Sequence, residues 1–510
     1  MLVGTSFGLL RLEGRLPSKA PPAPCSDRCI QLRMSVLKFG EERRPPRALA
    51  RAATEDRARE KIGGVARRIA WSGAKIANGM STSVRRVVDR ASWTLFDQCT
   101  VSAGNFVLNV LLARALGQDE YGKFALFLGA IFILRVVDYA MISYPLSLRL
   151  PVAKEQDHAG LLGFTVLLAA ALSLVLVTVM GLGVALLGAI DLLLPACLCY
   201  LCWQAQETAR RCLLAEFRYR EAMPGDAIAY VGQAILVLVL LRLTTVTLST
   251  TLYAMSAAFA FGAAVHASKL RFAWPRSAGI GRLILDYFSV GKWSLVVYLL
   301  QLLRVQLLPW LLATLSGTAS TASLQASFNI ANMMNPVVLG MGNAVPQIAA
   351  HAHRSAGIRG AVRAASGYLL FGLAPILVIC FAGVLLPHSL LRAAYGPSSP
   401  YLAVALCLQL LMVAGVLDYV AEMISKTLLG VQAGKPAFLV NVVSVATVLA
   451  LAVLLIGPLG VTGACLALLA ASLVRMVGAA ISMAWLIRRD ESHAAVDGDR
   501  PIGRGASGPE

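Results

Sequence analysis

Long apolar stretches alternate with short polar segments along most of the chain. Residues 161–190 and 364–391 contain no Asp, Glu, Lys or Arg, and 39 consecutive uncharged residues run from Pro436 to Val474. One membrane crossing takes about 20 predominantly apolar residues. The 39-residue stretch therefore predicts two crossings, and Gly457-Pro-Leu-Gly460 predicts the turn that divides them.

The same pattern repeats along the rest of the chain and predicts about twelve transmembrane helices. Their predicted ranges are 92–115, 122–143, 161–188, 192–214, 226–242, 249–268, 287–315, 321–350, 364–387, 400–429, 436–456 and 460–487, which we number 1 to 12. The fold class predicted is an all-α integral membrane protein. The composition excludes a soluble globular protein, because only 14% of residues are charged, against roughly 25% in typical soluble domains. A mean hydropathy of +0.70 agrees.

The charges between the predicted helices indicate orientation. If the N-terminus is cytoplasmic, the even-numbered connections contain sixteen Lys and Arg residues, whereas the odd-numbered connections contain only Arg114, Lys123, Arg242 and Arg392. The basic set comprises Arg149, Lys154, Arg210, Arg211, Arg218, Arg220, Lys269, Arg271, Arg276, Arg282, Lys292, Arg354, Arg359, Arg363, Lys426 and Lys435. This alternation follows the positive-inside rule. It predicts a multi-pass protein of the bacterial inner (plasma) membrane with both termini in the cytoplasm.

The most basic connection, near 269–292, divides the predicted helices into two groups of six. We therefore predict an N-terminal lobe at 91–270, a cytoplasmic linker at 271–286 and a C-terminal lobe at 287–488. Because each lobe has an even number of helices, both enter the membrane from the same side, and a pseudo-two-fold axis along the membrane normal relates them. Residues 489–510 are predicted to be a disordered cytoplasmic tail.

Residues 1–90 are predicted to be a basic, disordered cytoplasmic tail. They contain 19 Lys and Arg residues against 8 Asp and Glu residues. Basic side chains near a membrane surface attract anionic lipid headgroups, so one interpretation is lipid attachment. The alternatives are a solvated extension without such a role, or a start of translation at Met80, just before the first predicted helix.

Two predicted helices carry polar side chains at helical spacing, which places each set on one face. The sets are Gln98, Ser102, Asn105 and Asn109 on helix 1, and Ser294, Tyr298, Gln301 and Arg304 on helix 7. Lipid is a poor environment for such faces. They are therefore expected to line a cavity or to form hydrogen bonds between packed helices, and the pairing of the two faces favours a cavity.

Three arginines fall within predicted spans, namely Arg135, Arg304 and Arg475. A charge at the centre of a bilayer is costly and is expected to face protein or water. A guanidinium binds phosphate and carboxylate groups well, so these side chains are candidates for contacting an anionic substrate. The alternative for each is an internal ion pair. For Arg135 the nearest acid along the helix is Asp138, whereas Arg304 has no acid within a turn.

Arg475 also has no acid nearby along the chain and could pair with Asp418 or Glu422 of helix 10. These two acids and Lys426 follow one another at steps of four, which is the spacing of a structural charge ladder on one helix face. The alternative is a proton or cation coupling site. Asp97, near the start of helix 1, is a further candidate for ion coupling.

No metal, cofactor or catalytic site is predicted. The spacing of Cys197, Cys199 and Cys202 scatters their thiols around a helix, and no His is nearby, which favours core packing. His351 and His353 are two residues apart on a helix and point in different directions. The connections are also too short for a catalytic domain. We therefore do not expect an enzyme.

Three segments resemble the polysaccharide-biosynthesis flippases of the large superfamily that also contains multidrug and toxic-compound exporters and lipid II flippases. The first is Asn105-Phe-Val-Leu-Asn-Val-Leu-Leu-Ala-Arg-Ala-Leu-Gly117, continuing through Glu120-Tyr-Gly-Lys-Phe-Ala-Leu126. The others are Gln206-Glu-Thr-Ala-Arg-Arg-Cys-Leu-Leu-Ala215 and Leu429-Gly-Val-Gln-Ala-Gly-Lys-Pro436. The resemblance extends over residues 90–488.

The resemblance implies a two-lobed bundle that moves an undecaprenyl-pyrophosphate-linked oligosaccharide across the inner membrane by alternating access. It implies a role in exopolysaccharide, capsule or O-antigen biosynthesis, and a cationic cavity that Arg304 and Arg135 would line. The expected partners are the lipid-linked substrate, membrane lipids and the polymerase and export proteins of such a pathway, with no nucleic acid. The alternative is a cation-coupled exporter of drugs or small molecules, which needs acidic groups deep in the cavity.

Overall fold

The computed structural model describes residues 82–274 and 280–498, and the regular elements in these ranges are all helical. The first six long helices form the N-terminal lobe, or N-lobe. They are α1 (Thr82–Ala115), α2 (Gln118–Arg149), α3 (Glu155–Leu186), α4 (Leu193–Ala215), α5 (Tyr219–Leu243) and α6 (Leu248–Ala267). From Ser92 onward, the described helices belong to one compact unit.

The C-terminal lobe, or C-lobe, begins with α7 (Ile280–Ser316). The helical stretch that follows turns back at Ala356 and Gly357, where Gly357 has a φ of 64°, and this break separates α8 (318–355) from α9 (358–385). A short connecting helix, Pro387–Tyr395, leads to α10 (Pro400–Gly430). The last stretch breaks at Gly460, with a φ of 54°, into α11 (434–459) and α12 (461–498).

The structure confirms the predicted fold class. Within the described ranges, eight helical stretches are long and apolar enough to cross a membrane. Two of them, Thr318–Leu385 with 68 residues and Gly434–Asp490 with 57, are far longer than a bilayer and contain the breaks at Gly357 and Gly460. Each therefore crosses twice. Together with α1 and α4 they make twelve helices in two lobes of six.

Several helices extend beyond their predicted ends. Helix α5 begins at Tyr219 and not at 226, and α7 begins at Ile280, inside the predicted linker 271–286. Helix α12 continues to Gly498, into the segment predicted to be a disordered tail. The physical reason is that hydropathy locates the part of a helix that lies in lipid, whereas hydrogen bonding continues beyond it. Residues 1–81 and 499–510 of the predicted tails, and 275–279 of the predicted linker, lie outside the described residues.

The apolar surface is distributed as a bilayer requires. Large apolar side chains on α3 are exposed, such as Leu174 (66%), Val179 (53%) and Leu186 (78%). Within the N-lobe α4 packs against α6, and within the C-lobe α10 packs against α9 and α12. Small residues allow close approach, as where Gly262 of α6 meets Ala229 of α5. The lobes meet where α2 packs against α7 and the start of α8.

Two helices of the N-lobe contain a π-helical turn, Tyr139–Ser143 in α2 and Ala227–Val231 in α5. A π turn adds one residue to a helical turn, re-aims the side chains beside it and frequently lies at a functional site. Each begins directly after a buried aspartate, Asp138 or Asp226.

Because successive helices run in opposite directions, the even-numbered connections lie at one end of the bundle. We call this the basic end, and the other the non-basic end.

Candidate functional site

Arg210 of α4 connects three helices inside the N-lobe. Its Nε donates to Asp226 of α5 and its Nη2 to Asp97 of α1, with Nη2–Oδ2 at 2.7 Å. Asp226 is fully buried, and its second oxygen accepts from the amide of Gln206 at 2.8 Å. The arginine is only 9% exposed. One guanidinium therefore bridges two buried carboxylates.

Glu207 forms the centre of a second group of charges on the same helix. Its Oε1 accepts from Arg135 of α2 at 2.8 Å and from Arg211 at 2.8 Å. Its Oε2 lies 3.7 Å from Arg210. The Arg135 guanidinium also lies 5.6 Å from the ring of Trp203, a cation–π contact. Glu207 thereby joins the α2 and α4 charges to the Arg210 group.

The N-lobe ion cluster, as we call it, consists of seven charged or ionisable residues: Asp97, Arg135, Asp138, Glu207, Arg210, Arg211 and Asp226. Asp138 is 2% exposed, and Arg211 and Glu207 act on it electrostatically. The cluster contains three arginines and four carboxyl groups. Its charges balance only if one carboxyl group is neutral, because a buried charge without a counter-ion is costly.

The C-lobe contains a second cluster, in which basic side chains outnumber acidic ones. Arg304 of α7 donates to both oxygens of Asp418 on α10, at 2.8 and 2.9 Å. Arg475 of α12 donates to Glu422 and lies 3.4 Å from Asp418. Lys426 lies 3.5 Å from Glu422. This C-lobe ion cluster has three cations against two carboxylates, an excess of one positive charge among the described residues.

Both clusters lie in the half of the bundle toward the basic end. At the non-basic end, α1 and α2 of the N-lobe contact α8 of the C-lobe. The Oδ1 of Asn109 accepts from Tyr121 at 3.2 Å and from Gln325 at 3.3 Å. Thr318 donates to Asp119 at 2.7 Å, and a Cβ on Gly122 would lie 2.0 Å from the Thr318 carbonyl oxygen. Only glycine permits this approach of the two backbones.

Aromatic rings and an arginine extend the same contact. The ring centroids of Tyr121 and Tyr401 are 6.0 Å apart, and those of Tyr395 and Tyr401 are 5.2 Å apart. Arg114 donates to the carbonyl oxygens of Ala393 and Ala394 at 2.8 and 2.6 Å. We call this set of contacts, together with those of Asn109, Asp119 and Gly122, the lobe seal. It holds the two lobes together at the non-basic end.

A groove opens on the outer side of α11 and α12. It has a volume of about 350 Å³, at the lower end of the usual range of ligand pockets, about 300–1,000 Å³. Its lining is mostly apolar, with Leu439, Val440, Val443, Val474 and Trp485, and contains one polar side chain, that of Ser482. On the inner side of the same helices, Arg475 donates to Asn441 at 3.1 Å. The groove and the C-lobe ion cluster thus lie on opposite sides of one helix pair.

The structure corrects the ion pairs expected from sequence proximity. Arg135 does not pair with Asp138, three residues away, but with Glu207 of α4. Arg304, a candidate for contacting an anionic substrate with no acid within a turn, forms two hydrogen bonds to Asp418 and is 8% exposed. The partners lie on neighbouring helices, so separation along the chain does not reveal them.

The remaining candidates fall into separate places. Arg475 pairs with Glu422 and Asp418, the arrangement expected as an alternative to a substrate contact. Asn109 belongs to the lobe seal, and Tyr298 contacts Tyr139 of α2 with ring centroids 5.1 Å apart. The Nδ2 of Asn105 donates to the Val101 carbonyl of its own helix. Gln98 and Gln301 are half-buried.

Four residues of the N-lobe ion cluster did not stand out in the sequence. Arg210 and Arg211 were counted as part of a basic cytoplasmic connection, but both lie buried in α4, 9% and 8% exposed. Glu207 and Asp226 pair with them. The available signal was one acid and two arginines at steps of three and four inside a predicted span. Removing this pair from the basic connections leaves their excess over the odd-numbered connections large.

No group of three or more His, Cys, Asp or Glu residues within 82–274 and 280–498 has the arrangement of a metal site. The eight cysteines in this part of the chain are free thiols.

The chain matches no known protein-family model, and no curated protein is similar enough in sequence to match it. Solved structures are similar in fold. An inward-facing multidrug resistance MATE family transporter of the MOP superfamily has a TM-score of 0.63, with 15% identity over 79% of this chain and 96% of that chain. An outward-facing MATE family transporter of the same superfamily has a TM-score of 0.54, with 15% identity over 80% and 96%.

The lipid II flippase MurJ, in an inward closed conformation, has a TM-score of 0.60, with 13% identity over 78% of this chain and 87% of that chain. At these identities the likeness establishes the architecture. The protein therefore has the two-lobed, multi-pass membrane fold of the MOP superfamily transporters.

Proposed function

We propose that the protein is a flippase that moves a lipid-linked oligosaccharide with a phosphate-bearing head from the cytoplasmic to the periplasmic leaflet by alternating access. The fold is shared with transporters and with one flippase. The observation that carries the proposal is the arrangement around α11 and α12. An ion cluster with an excess positive charge lies on their inner side, and an apolar groove lies on their outer side.

A lipid-linked oligosaccharide has one part for each of these two surfaces. Its phosphates need cationic side chains in the interior, and its polyprenyl chain needs an apolar surface that is continuous with lipid. The C-lobe ion cluster is not sealed from the interior, since the side chains of Asp418, Glu422 and Lys426 are 25%, 21% and 17% exposed. Among its cations, Lys426 has the weakest ion pair, so its charge is the most available to an anion.

The lobe seal supports alternating access. It joins the lobes at the non-basic end, and both ion clusters lie between it and the basic end. A substrate entering from the basic end would meet the C-lobe ion cluster, and separation of the seal would release it on the other side. This direction agrees with the predicted cytoplasmic location of the basic connections.

The test compares two lysines of the same lobe. In cells that lack the gene, lipid-linked repeat units are expected to accumulate on the cytoplasmic leaflet, and the wild-type gene should restore export. Lys426→Gln should reduce the export rate about ten- to a hundredfold, because a charge-assisted hydrogen bond contributes about 1.5–3 kcal/mol. Lys435→Gln removes an exposed lysine outside the cluster and should leave export unchanged.

Normal export in the deletion strain would refute the flippase proposal. Equal export by the two variants, at equal protein level, would remove the claim that Lys426 contacts the substrate.

A second candidate function is a cation-coupled exporter of small molecules. The observation that favours it is the N-lobe ion cluster, where four carboxyl groups face three arginines. This function predicts resistance to cationic dyes that is lost on deletion, with no accumulation of lipid-linked oligosaccharide.

A further inference from the structure

Asp138 differs from the other acids of the N-lobe ion cluster in its contacts. Its Oδ2 accepts a long hydrogen bond, 3.4 Å, from Ser143 of the same helix. Its Oδ1 is buried and has no hydrogen-bond partner among the described residues. With 2% of its surface exposed, the residue has almost no contact with solvent or lipid. A carboxylate in this setting lacks the partners that normally accompany buried charge.

The arginines nearby are already engaged by other acids. Arg210 contacts Asp97 and Asp226, while Arg135 and Arg211 both contact Glu207. In the described part of the chain, no cationic nitrogen lies within 4.0 Å of Asp138. The three guanidiniums balance three carboxylates and leave the fourth without a counter-ion. A proton on the fourth carboxyl group makes the cluster neutral.

Several side chains of α4 near Asp138 also have buried polar atoms without hydrogen-bond partners within the described ranges. Tyr200, Gln204, Glu207, Arg211 and Cys212 of that helix all act on Asp138 or are acted on by it. The first three follow at steps of four and three, which places them on one face. Tyr200 Oη, Gln204 Oε1 and Glu207 Oε2 are buried and have no hydrogen-bond partner in the described structure. Two of these are pure acceptors, and a protonated carboxyl group, unlike a carboxylate, carries one O–H that can donate to one of them.

The π turns provide an internal comparison. Asp138 and Asp226 each lie directly before a π turn and are both buried. Asp226 has an arginine and a glutamine on its two oxygens, whereas Asp138 has only the serine. The same local backbone thus carries one ion-paired aspartate and one without a counter-ion.

The residue after Asp138 belongs to the contact between the lobes. The Tyr139 ring lies 4.9 Å from the Arg211 guanidinium carbon and 5.1 Å from the Tyr298 ring of α7. A change of charge at Asp138 therefore occurs one residue from an interface that alternating access must rearrange.

We propose that Asp138 is an exchangeable proton-binding site, where a proton binds Oδ1 to form a carboxylic acid that faces Tyr200 and Gln204 and is released to leave the carboxylate. The site is distinct from the substrate contacts of the C-lobe and does not depend on the cargo. It also differs from the predicted coupling candidates Asp97, Asp418 and Glu422, which all have arginine partners.

The test uses the full-length protein in lipid nanodiscs, without substrate. Infrared difference spectra between buffers of about pH 5 and pH 9, the range in which buried carboxyl groups titrate, detect the carbonyl band of a protonated acid. The wild type should show the carbonyl band of a protonated carboxylic acid, and Asp138→Asn should lose it. Asp191→Asn, at an exposed position before α4, should keep it.

Asp138→Glu keeps a carboxyl group and should show a shifted band, which separates loss of the proton site from failure to fold. Retention of the full band in a folded Asp138→Asn protein would overturn the proposal. Absence of any carboxylic-acid band in the folded wild type at either pH would also overturn it, because no proton would then be bound. Neither result bears on the flippase proposal, because no cargo is present.

Discussion

The strongest stability prediction concerns two adjacent arginines of α4. Among the residues that the structure describes, Arg210 provides the only guanidinium that contacts Asp97 and Asp226, which are 4% and 0% exposed, and Arg210→Gln removes it. Breaking a buried ion pair by removing one partner costs about 3–5 kcal/mol, since the other charge stays buried without a counter-ion. Little discount for solvent applies, because the three side chains are at most 10% exposed.

Arg211→Gln is the matched control, because it is the same change one residue away at similar burial. Glu207 loses one guanidinium but keeps Arg135 at 2.8 Å and Arg210 at 3.7 Å. The expected loss is that of a hydrogen bond to a charged group, about 1.5–3 kcal/mol. At about 2 °C per kcal/mol for a large domain, the melting temperature should fall about 6–10 °C for Arg210→Gln and about 3–6 °C for Arg211→Gln.

The protein contains its own reporters for this measurement. Cys199 and Cys212 are buried in the N-lobe, and Cys407 and Cys465 are buried in the C-lobe. A thiol-reactive fluorogenic dye reacts with them as the purified protein unfolds in detergent. Equal melting temperatures for the two arginine variants, or a larger loss for Arg211→Gln, would contradict the assignment of Arg210 as the counter-ion of two acids.

A second substitution should change the melting temperature in opposite directions in the two arginine variants. Asp226→Asn in the Arg210→Gln background removes a stranded carboxylate and should raise the melting temperature. The same change in the Arg211→Gln background removes a partner of Arg210 and should lower it. The two results form a double-mutant comparison within one network. If Asp226→Asn has the same effect in both backgrounds, the coupling between Asp226 and Arg210 is absent.

Three further predictions follow from close contacts and from exposure. Gly122→Leu places side-chain atoms against the Thr318 carbonyl, 2.0 Å from the new Cβ, and should open the lobe seal; labelling of a cysteine introduced at the seal should rise, and unchanged labelling would argue against this contact. Gly225→Ala places a Cβ 2.2 Å from His266 Nε2 and should destabilise the N-lobe by about 1–3 kcal/mol, measured by the same dye assay. Arg149→Gln breaks a half-exposed ion pair between α2 and α7, so the melting temperature should change by less than the equivalent of about 1 kcal/mol; a larger loss would show that exposure does not screen this pair.

Some details of the fold followed from local sequence, and others did not. The break between α11 and α12 falls at Gly460, inside the predicted Gly-Pro-Leu-Gly turn, because the positive φ of this turn requires a residue without a Cβ. The starts of α5 and α7 were missed. Hydropathy marks only the part of a helix that lies in the membrane. Arg220 and Arg282 lie outside that part, but arginine is a good helix former, so both helices continue through these residues.

The ion pairs of the candidate site could not be predicted from the local sequence. Arg304 and Asp418 are 114 positions apart, and their ion pair exists only because α7 and α10 both pack against the helix pair α11 and α12. Arg210 and Arg211 had the composition of a surface loop and became interior residues because α1 and α5 supply carboxylates to Arg210 and Glu207 of α4 supplies one to Arg211. No local pattern distinguishes these situations.

The sequence by itself determined the number of helices, their approximate lengths and the alternation of basic connections. Each of these depends on the hydropathy and charge of one chain segment at a time, and a bilayer selects segments by the same properties. Only the tertiary structure decided which charges become partners, because ion pairing depends on which helices are adjacent. It also decided that Asp138 has no counter-ion while Asp226, in the same local backbone setting, has one. Whether an aspartate has a counter-ion depends on the side chains of neighbouring helices, and the sequence of its own helix does not reveal it.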